Sequence, residues 1–245
     1  MKKDQVESIR QDLILVDEQY REWNIKYFNG HLNRYLSDLQ IVKKNYKGGK
    51  ILEIGSLPYH LTAMLSLSSF DVTGLDVNPV RGNAFAEKYG LKIVKCDIET
   101  EALPFRDEQF DLVVFNEVFE HLRINPIRTL REINRVLAPG GKLILSTPNV
   151  YAIGNLYLFL RGRSIDNSPY REFLKLETLG HMGHVRIYSA REVEEFLVNT
   201  SFSVKEVMYR YNRKSKKRLL FKLFYRLIPV FRPQFVIISE KTPQS

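Results

Sequence analysis

Four short apolar runs each end on a residue that could hold a ligand. They are Glu53 and Gly55 in "KILEIG" (50–55), Asp76 in "FDVTGLDVNP" (70–79), Asp97 in "LKIVKCDI" (91–98), and Asn116 with Glu117 in "FDLVVFNEV" (110–118). Asp76 stands 23 positions after Glu53, about where a carboxylate at the end of a second strand can accept both hydroxyls of a ribose. Asp97 is placed to meet the exocyclic amine of an adenine, and Glu53 is an acidic residue near the first loop. Each aspartate also fits a plainer role as a helix cap. Three histidines, His121, His181 and His184, could take a proton from an acceptor hydroxyl if they lie within hydrogen-bond reach. His121, four residues after Glu117, suits a solvated helix face better than it suits catalysis. Cys96 is the single cysteine, so no intramolecular disulfide forms, and no metal site is expected.

The elements that would position these residues alternate in type. Apolar runs bounded by glycine, proline or asparagine suit buried strands. Asn78 and Pro79, and again Asn125 and Pro126, pair a capping side chain with proline at a first helical position. Pro58 could open the helix after the first loop. The turn "APGG" leads into the strand "KLILSTP". Five apolar strands separated by helical patterns or loops predict a mainly parallel sheet covered on both faces, an α/β fold of the doubly wound kind. Ser189 and Glu192 form a capping box before a late helix. The runs "FSVKEVMYR" and "FVIISEK" then read as a long-looped hairpin at one sheet edge. In such sheets a ligand lies beyond the carboxyl ends of the strands, where strand order reverses.

The segments "LEIG", "GLDVNP", "KCDIE", "LPFRDEQFDLVVFNEVFEHL", "REINRVLAPGGKLILSTPN" and "GHVRIYSAREVEEFL" are weak signals singly, but their order and spacing are specific. From about Lys50 to its end the chain resembles the class I S-adenosylmethionine-dependent methyltransferases, and among them the small-molecule and glycan enzymes of the methyltransferase type 11 kind. The resemblance implies a seven-stranded Rossmann-like sheet with a reversed last strand, S-adenosyl-L-methionine as cofactor, and Glu53, Gly55, Asp76, Asp97, Asn116 and Glu117 around it. The first loop departs from the family pattern, because Leu57 and Tyr59 stand where glycines are usual. The remaining glycine makes the sharp turn out of the strand, while the later ones chiefly allow close backbone approach. S-adenosylmethionine carries no phosphate to be cradled, so binding is expected to persist in a reshaped pocket.

Residues 1–48 read as an N-terminal helical cap, with apolar positions Ile14, Leu15, Tyr20, Trp23, Tyr27, Leu36 and Leu39 at helical spacing. Residues 49–245 form the main domain, with insertions at 149–187 and 211–233. The first is rich in aromatic and basic side chains and reads as a lid over the acceptor, or as helices packed on the sheet. The net charge is +9, and Arg210, Arg213, Lys214, Lys216, Lys217, Arg218, Lys222, Arg226 and Arg232, nine in all, account for it. Lys214, Arg218, Lys222 and Arg226 recur every four residues, with Leu220, Leu223, Phe224 and Leu227 on another face, up to a stop at Pro229. Such a helix (213–228) can lie on an anionic membrane. Packing against the core ranks second, and nucleic acid last, since no recognised module accompanies the charge. The start "MKKDQVESIR" lacks a signal-peptide core and no apolar run spans a bilayer, so a cytosolic protein, peripheral at the inner membrane face, is expected.

The sequence therefore predicts O-methylation of a sugar, a lipid-linked saccharide or a quinone-like molecule. Two rival classes remain: a non-catalytic adaptor that has lost the cofactor, and a nicotinamide-dependent oxidoreductase, which would also want Asp76 but would expect more glycine than "GSLPYH".

Overall fold

The computed structural model describes residues 1, 3–15, 18–166, 168–179, 183–211 and 219–242. Helices α1 (Lys3–Asp12) and α2 (Glu18–Asn45) lead into β1 (Lys50–Ile54), α3 (His60–Ser66), β2 (Asp71–Asp76), α4 (Asn83–Lys88), β3 (Lys92–Lys95) and β4 (Phe110–Asn116). They are followed by α5 (Pro126–Val136), β5 (Leu137–Pro148), α6 (Ile153–Leu160), α7 (Pro169–Leu179), α8 (Ala190–Val198), β6 (Phe202–Arg210), α9 (Leu219–Leu227) and β7 (Gln234–Lys241). The strands form one seven-stranded sheet in the order β3-β2-β1-β4-β5-β7-β6. All pairs are parallel except those of β7, which runs antiparallel to both β5 and β6. Strand order reverses between β1 and β4, so a crevice opens beyond their carboxyl ends.

Side chains alternate along each strand, and the two faces have separate cores. Leu52, Ile54, Val113, Phe115, Leu143 and Leu145 pack beneath α5 and α8 with Leu130, Ile133, Val193 and Leu197. Ile51, Leu112, Val114, Ile144, Val236 and Ile238 face the other way, against Phe28, Leu32, Tyr35, Leu39 and Val42 of α2. The N-terminal helices thus share a core with the sheet. Each such buried apolar side chain contributes about 1.5–3 kcal/mol.

Local signals explain most boundaries. Asn125 caps α5 by accepting from the backbone of Ile127 and Arg128, with Pro126 at the first position, and Ser189 and Glu192 close a reciprocal capping box on α8. Within β5, Leu137 pairs with Phe110 and the register resumes at Lys142 opposite Leu112. The expected "APGG" turn is this bulge, and Gly140 takes φ +70° in it. α9 ends at Leu227, just ahead of Pro229.

Two helix starts differ from expectation. Asn78 opens no α-helix: its backbone N–H turns back onto Asp76 Oδ1 at 3.1 Å, a short 3₁₀ turn covers Pro79–Gly82, and α4 begins at Asn83. Pro58 does not open α3 either, because a turn from Ser56 carries the chain through Tyr59 at φ +66° before the helix starts at His60. Of the basic insertion, residues 212–218 and the side chains of residues 219–222, Leu220 and Lys222 among them, lie outside the described residues. No helix among the described residues is long and apolar enough to cross a membrane.

Candidate functional site

The crevice is built on Gly55. Its φ of +73° and the 2.3 Å at which an added Cβ would meet Val118 Cγ2 both demand glycine. The backbone N–H groups of Gly55 and Ser56 donate to the Leu75 carbonyl at 2.9 and 3.1 Å, anchoring the loop to the end of β2. Leu57 N–H donates to Asp76 Oδ2 at 3.0 Å. Asp76 therefore holds the loop after β1 with one oxygen and its own turn with the other, and each oxygen keeps lone-pair capacity. The bulk that replaces glycine is packed away: Tyr59 is fully buried, its hydroxyl donates to the Pro79 carbonyl at 2.9 Å, and its ring lies 2.5 Å from where a Cβ on Gly82 would stand.

Asp97, after β3, accepts from Glu99 N–H at 3.0 Å and sits half-buried at the same end of the sheet. Asn116, at the end of β4, has both side-chain amide atoms buried without a partner. A buried primary amide with neither donor nor acceptor used is costly, and this one lies at the switch point. Glu53 takes a different place. Period-2 alternation turns it to the α2 and α3 face, where it is 6% exposed and accepts from Thr62 Oγ1 at 2.6 Å. Burial pushes its carboxyl up to about 8, and the charges of Asp38 and Asp76 act in the same direction.

Glu117 turns away from the crevice toward α2. It accepts from Ser146 Oγ at 2.9 Å and Gln234 Nε2 at 2.6 Å, and pairs with Arg34 at 3.2 Å and Arg210 at 3.5 Å. Arg210 also pairs with the buried Asp38. Burial raises the Asp38 carboxyl above its usual range, opposed by Arg210. Sequence reasoning missed this network. Its signal is the spacing of Tyr27, His31, Arg34 and Asp38 at steps of four, three and four, which puts them on one helix face. Beside it, between α2 and the ends of β5, β6 and β7, lies a cleft of about 690 Å³ lined by His31, Arg34, Pro148, Tyr209, Tyr211 and Gln234, among others. Buried His60, held down to about 3 by burial and by the neighbouring His31 and Arg34 charges, is neutral and structural.

Of the three candidate histidines, the structure brings His121 and His184 together, with ring centroids 5.1 Å apart. His181 lies outside the described residues. His121 is on a 3₁₀ turn (Phe119–His121), not a helix face, so it diverges from Glu117. Its Nδ1 meets the Gly183 carbonyl at 2.9 Å, and burial holds the imidazole below its usual range. Between the rings lies a carboxylate the sequence reading did not single out. Glu120 is 1% exposed and accepts from Thr147 Oγ1 at 2.9 Å. Burial pushes its carboxyl upward.

The profile of the methyltransferase domain family matches residues 52–145. An uncharacterised protein of Methanocaldococcus jannaschii is 32% identical over 130 residues, covering 53% of this chain and 60% of that one. The ubiquinone biosynthesis O-methyltransferase of Roseobacter denitrificans is 36% identical over 107 residues, 42% of this chain and 43% of its own. These matches thus span less than two thirds of either relative. A solved S-adenosylmethionine-dependent methyltransferase from Thermotoga maritima, described as a possible histamine N-methyltransferase, superposes with a TM-score of 0.62 at 21% identity, over 92% of this chain and 97% of that one, a likeness of fold.

Proposed function

We propose that this chain, which belongs to the class I S-adenosylmethionine-dependent methyltransferases, methylates an oxygen of a small or lipid-linked acceptor. The observation that carries the reading is the unpartnered Asn116 amide at the carboxyl end of β4, the strand next to β1 at the switch point. The residues present fit the family's cofactor. Asp76 is fixed by two backbone donors and retains lone pairs for a ribose, Asn116 offers a donor and an acceptor, and Asp97 stands at the next strand end. Gly55, Asp76, Asp97 and Asn116 are assigned to cofactor binding. Glu53 and Glu117 are assigned to holding the loop and the α2 network in place.

S-adenosylmethionine, when bound, supplies a methyl group on an already activated sulfonium. What remains for the chain is alignment and exclusion of water. The cleft beside α2, about 690 Å³, is wide enough for a small acceptor, and α2 forms one of its walls. The Glu120, His121 and His184 cluster, at the ends of β4 and β5, is where an acceptor hydroxyl can lose its proton. Acceptor oxygen chemistry is also what the name of the Roseobacter relative describes, and a quinone-like or lipid-linked sugar acceptor falls in that class.

We further infer that the acceptor is met at the cytosolic face of an anionic membrane. α6 has no buried residue and exposes Tyr157, Phe159 and Leu160, the last two by 71% and 75%. On α9, Leu223 and Leu227 are exposed beside Arg226. Apolar side chains next to a basic segment suit insertion among anionic headgroups.

Calorimetry of the purified protein with S-adenosylmethionine, S-adenosylhomocysteine and NAD tests the core of the reading. Micromolar-range binding of the first two without the third is expected. Failure to bind either would overturn it and leave a methyltransferase-fold adaptor, and selective binding of NAD would favour an oxidoreductase.

A further inference from the structure

We propose that Glu120, His121 and His184 form a binding site for a divalent transition-metal cation. Their ligand atoms all lie within 4.8 Å of one another. Two distant chain segments are clamped together to bring this about. The backbone N–H groups of Val185 and Arg186 donate to the Glu120 carbonyl at 2.8 and 3.3 Å, and Glu172 of α7 accepts from Gly183 N–H at 2.6 Å. A Cβ at Gly183 would stand 2.5 Å from Glu172 Oε2, so any side chain there would have to displace that carboxylate.

The placement of protons points to a cation. A carbonyl only accepts, so the His121 nitrogen that meets Gly183 O, Nδ1, carries the hydrogen, and neutral His121 directs a bare lone pair from Nε2. That Nε2 is 4.0 Å from Glu120 Oε1, and His184 Nε2 is 3.9 Å from the same oxygen. His184 Nδ1 is buried with no hydrogen-bond partner and faces Asp166 Oδ1 at 3.6 Å, while its Nε2 is the ring nitrogen turned toward Glu120. Two imidazole nitrogens and a carboxylate oxygen therefore converge at distances too long for direct hydrogen bonds. Among the described residues, the histidines are the only groups within 4.0 Å that could pair with the Glu120 charge. A cation at the centre satisfies all three. A backbone carbonyl behind one ring and a carboxylate behind the other is the outer arrangement that fixes metal-ligating imidazoles.

The size and chemistry of the set are also suitable. Bond lengths of about 2.0–2.2 Å put neighbouring ligand atoms of one ion about 3–3.5 Å apart, against 3.9 and 4.0 Å from Glu120 Oε1 to the two imidazoles and at most 4.8 Å across the set, so an ion would draw the three side chains inward. Two imidazoles and one carboxylate suit zinc, manganese or iron(II) and leave positions open for an exogenous ligand. If the oxygen-methylation reading holds, on which this role alone rests, an acceptor hydroxyl bound at an open position is acidified and oriented by the ion. The site itself does not depend on that reading.

The test uses the whole purified protein, stripped with a chelator and dialysed, with no S-adenosylmethionine present. Mn²⁺ is titrated in, with the loss of the free-ion paramagnetic resonance signal as readout, and Zn²⁺ is followed by calorimetry. Wild type is expected to bind one equivalent of either ion saturably. His184→Ala and Glu120→Gln are expected to abolish saturable binding, and Asp166→Asn, which touches the ion only through His184, to weaken it by about 10- to 100-fold. Circular-dichroism melts of the metal-free proteins check folding. His184→Asn serves if His184→Ala does not fold. No saturable binding by wild type, or equal binding by folded His184 and Glu120 variants, overturns the site. Cofactor calorimetry on the same samples separates the two claims: a protein that binds S-adenosylmethionine and no metal sinks only this one.

Discussion

The backbone N–H of Leu57 donates to the Asp76 carboxylate at 3.0 Å, so the end of β2 holds the loop after β1. Asp76→Ala removes that anchor together with the ribose acceptor. Hydrogen bonds to a charged group are worth about 1.5–3 kcal/mol each, so S-adenosylmethionine affinity is expected to fall by at least about tenfold. Asp76→Asn, which keeps an acceptor oxygen, should fall between. Unchanged calorimetric affinity in a folded Asp76→Ala protein would remove Asp76 from the site.

Arg210 is the cation nearest the buried Asp38 and also bonds Ser146 at 2.9 Å. Arg210→Ala leaves a carboxylate that is 2% exposed without its partner, and is expected to lower stability by about 3–5 kcal/mol. Replacing both members by apolar residues of similar volume, Asp38→Leu with Arg210→Met, should cost less than the single change. Urea denaturation of the three proteins measures the difference. A loss of under about 1 kcal/mol in Arg210→Ala would mean the pair is open to water.

Much of this was legible in the chain, for physical reasons that particular residues illustrate. Strand ends are legible because apolar runs stop at polar residues that the parallel strand direction gathers at one end of the sheet; hence Asp76, Asp97 and Asn116 all lie at its carboxyl end. The Asn125 and Ser189 caps are legible because their partners lie within three residues. Asn78 misleads, because the Asp76 carboxylate two positions earlier competes for its backbone. Glu53 and Glu117 look alike in sequence as strand-end acids, and only the sheet's alternation and the neighbouring α2 send them away from the ligand. Glu120 is the hardest case. Its importance depends on His184, which is 64 positions away and arrives through tertiary contacts alone.

Glu53 gives a pH dependence of definite sign. Its carboxyl titrates at about 8 in the folded protein and at about 4.3 in an unfolded chain, so between those values the folded state holds the extra proton. Stability from this group is fully present below the unfolded value and is lost as pH rises through about 8. Glu53→Gln, which keeps an acceptor for Thr62, should flatten the profile. The stability of the variant relative to wild type is expected to rise steadily from pH 5 to pH 8.5 in denaturant titrations. A constant difference across that range would show that Glu53 is ionised throughout.

Phe159 and Leu160 bear on where the protein works. They project from a helix with no buried residue, so Phe159→Asp with Leu160→Asp should leave the fold and S-adenosylmethionine binding intact. Burying each side chain fully in lipid would contribute about 1.5–3 kcal/mol, and headgroup attraction adds about 1 kcal/mol for each basic residue at the surface. Wild type is expected to sediment with phosphatidylglycerol vesicles at 50 mM salt and less at 500 mM, where exposed charges are screened. The double variant should stay in the supernatant at both. Equal sedimentation of the two proteins would move the contact away from α6, and a wild type that ignores anionic vesicles would detach the acceptor from the membrane altogether.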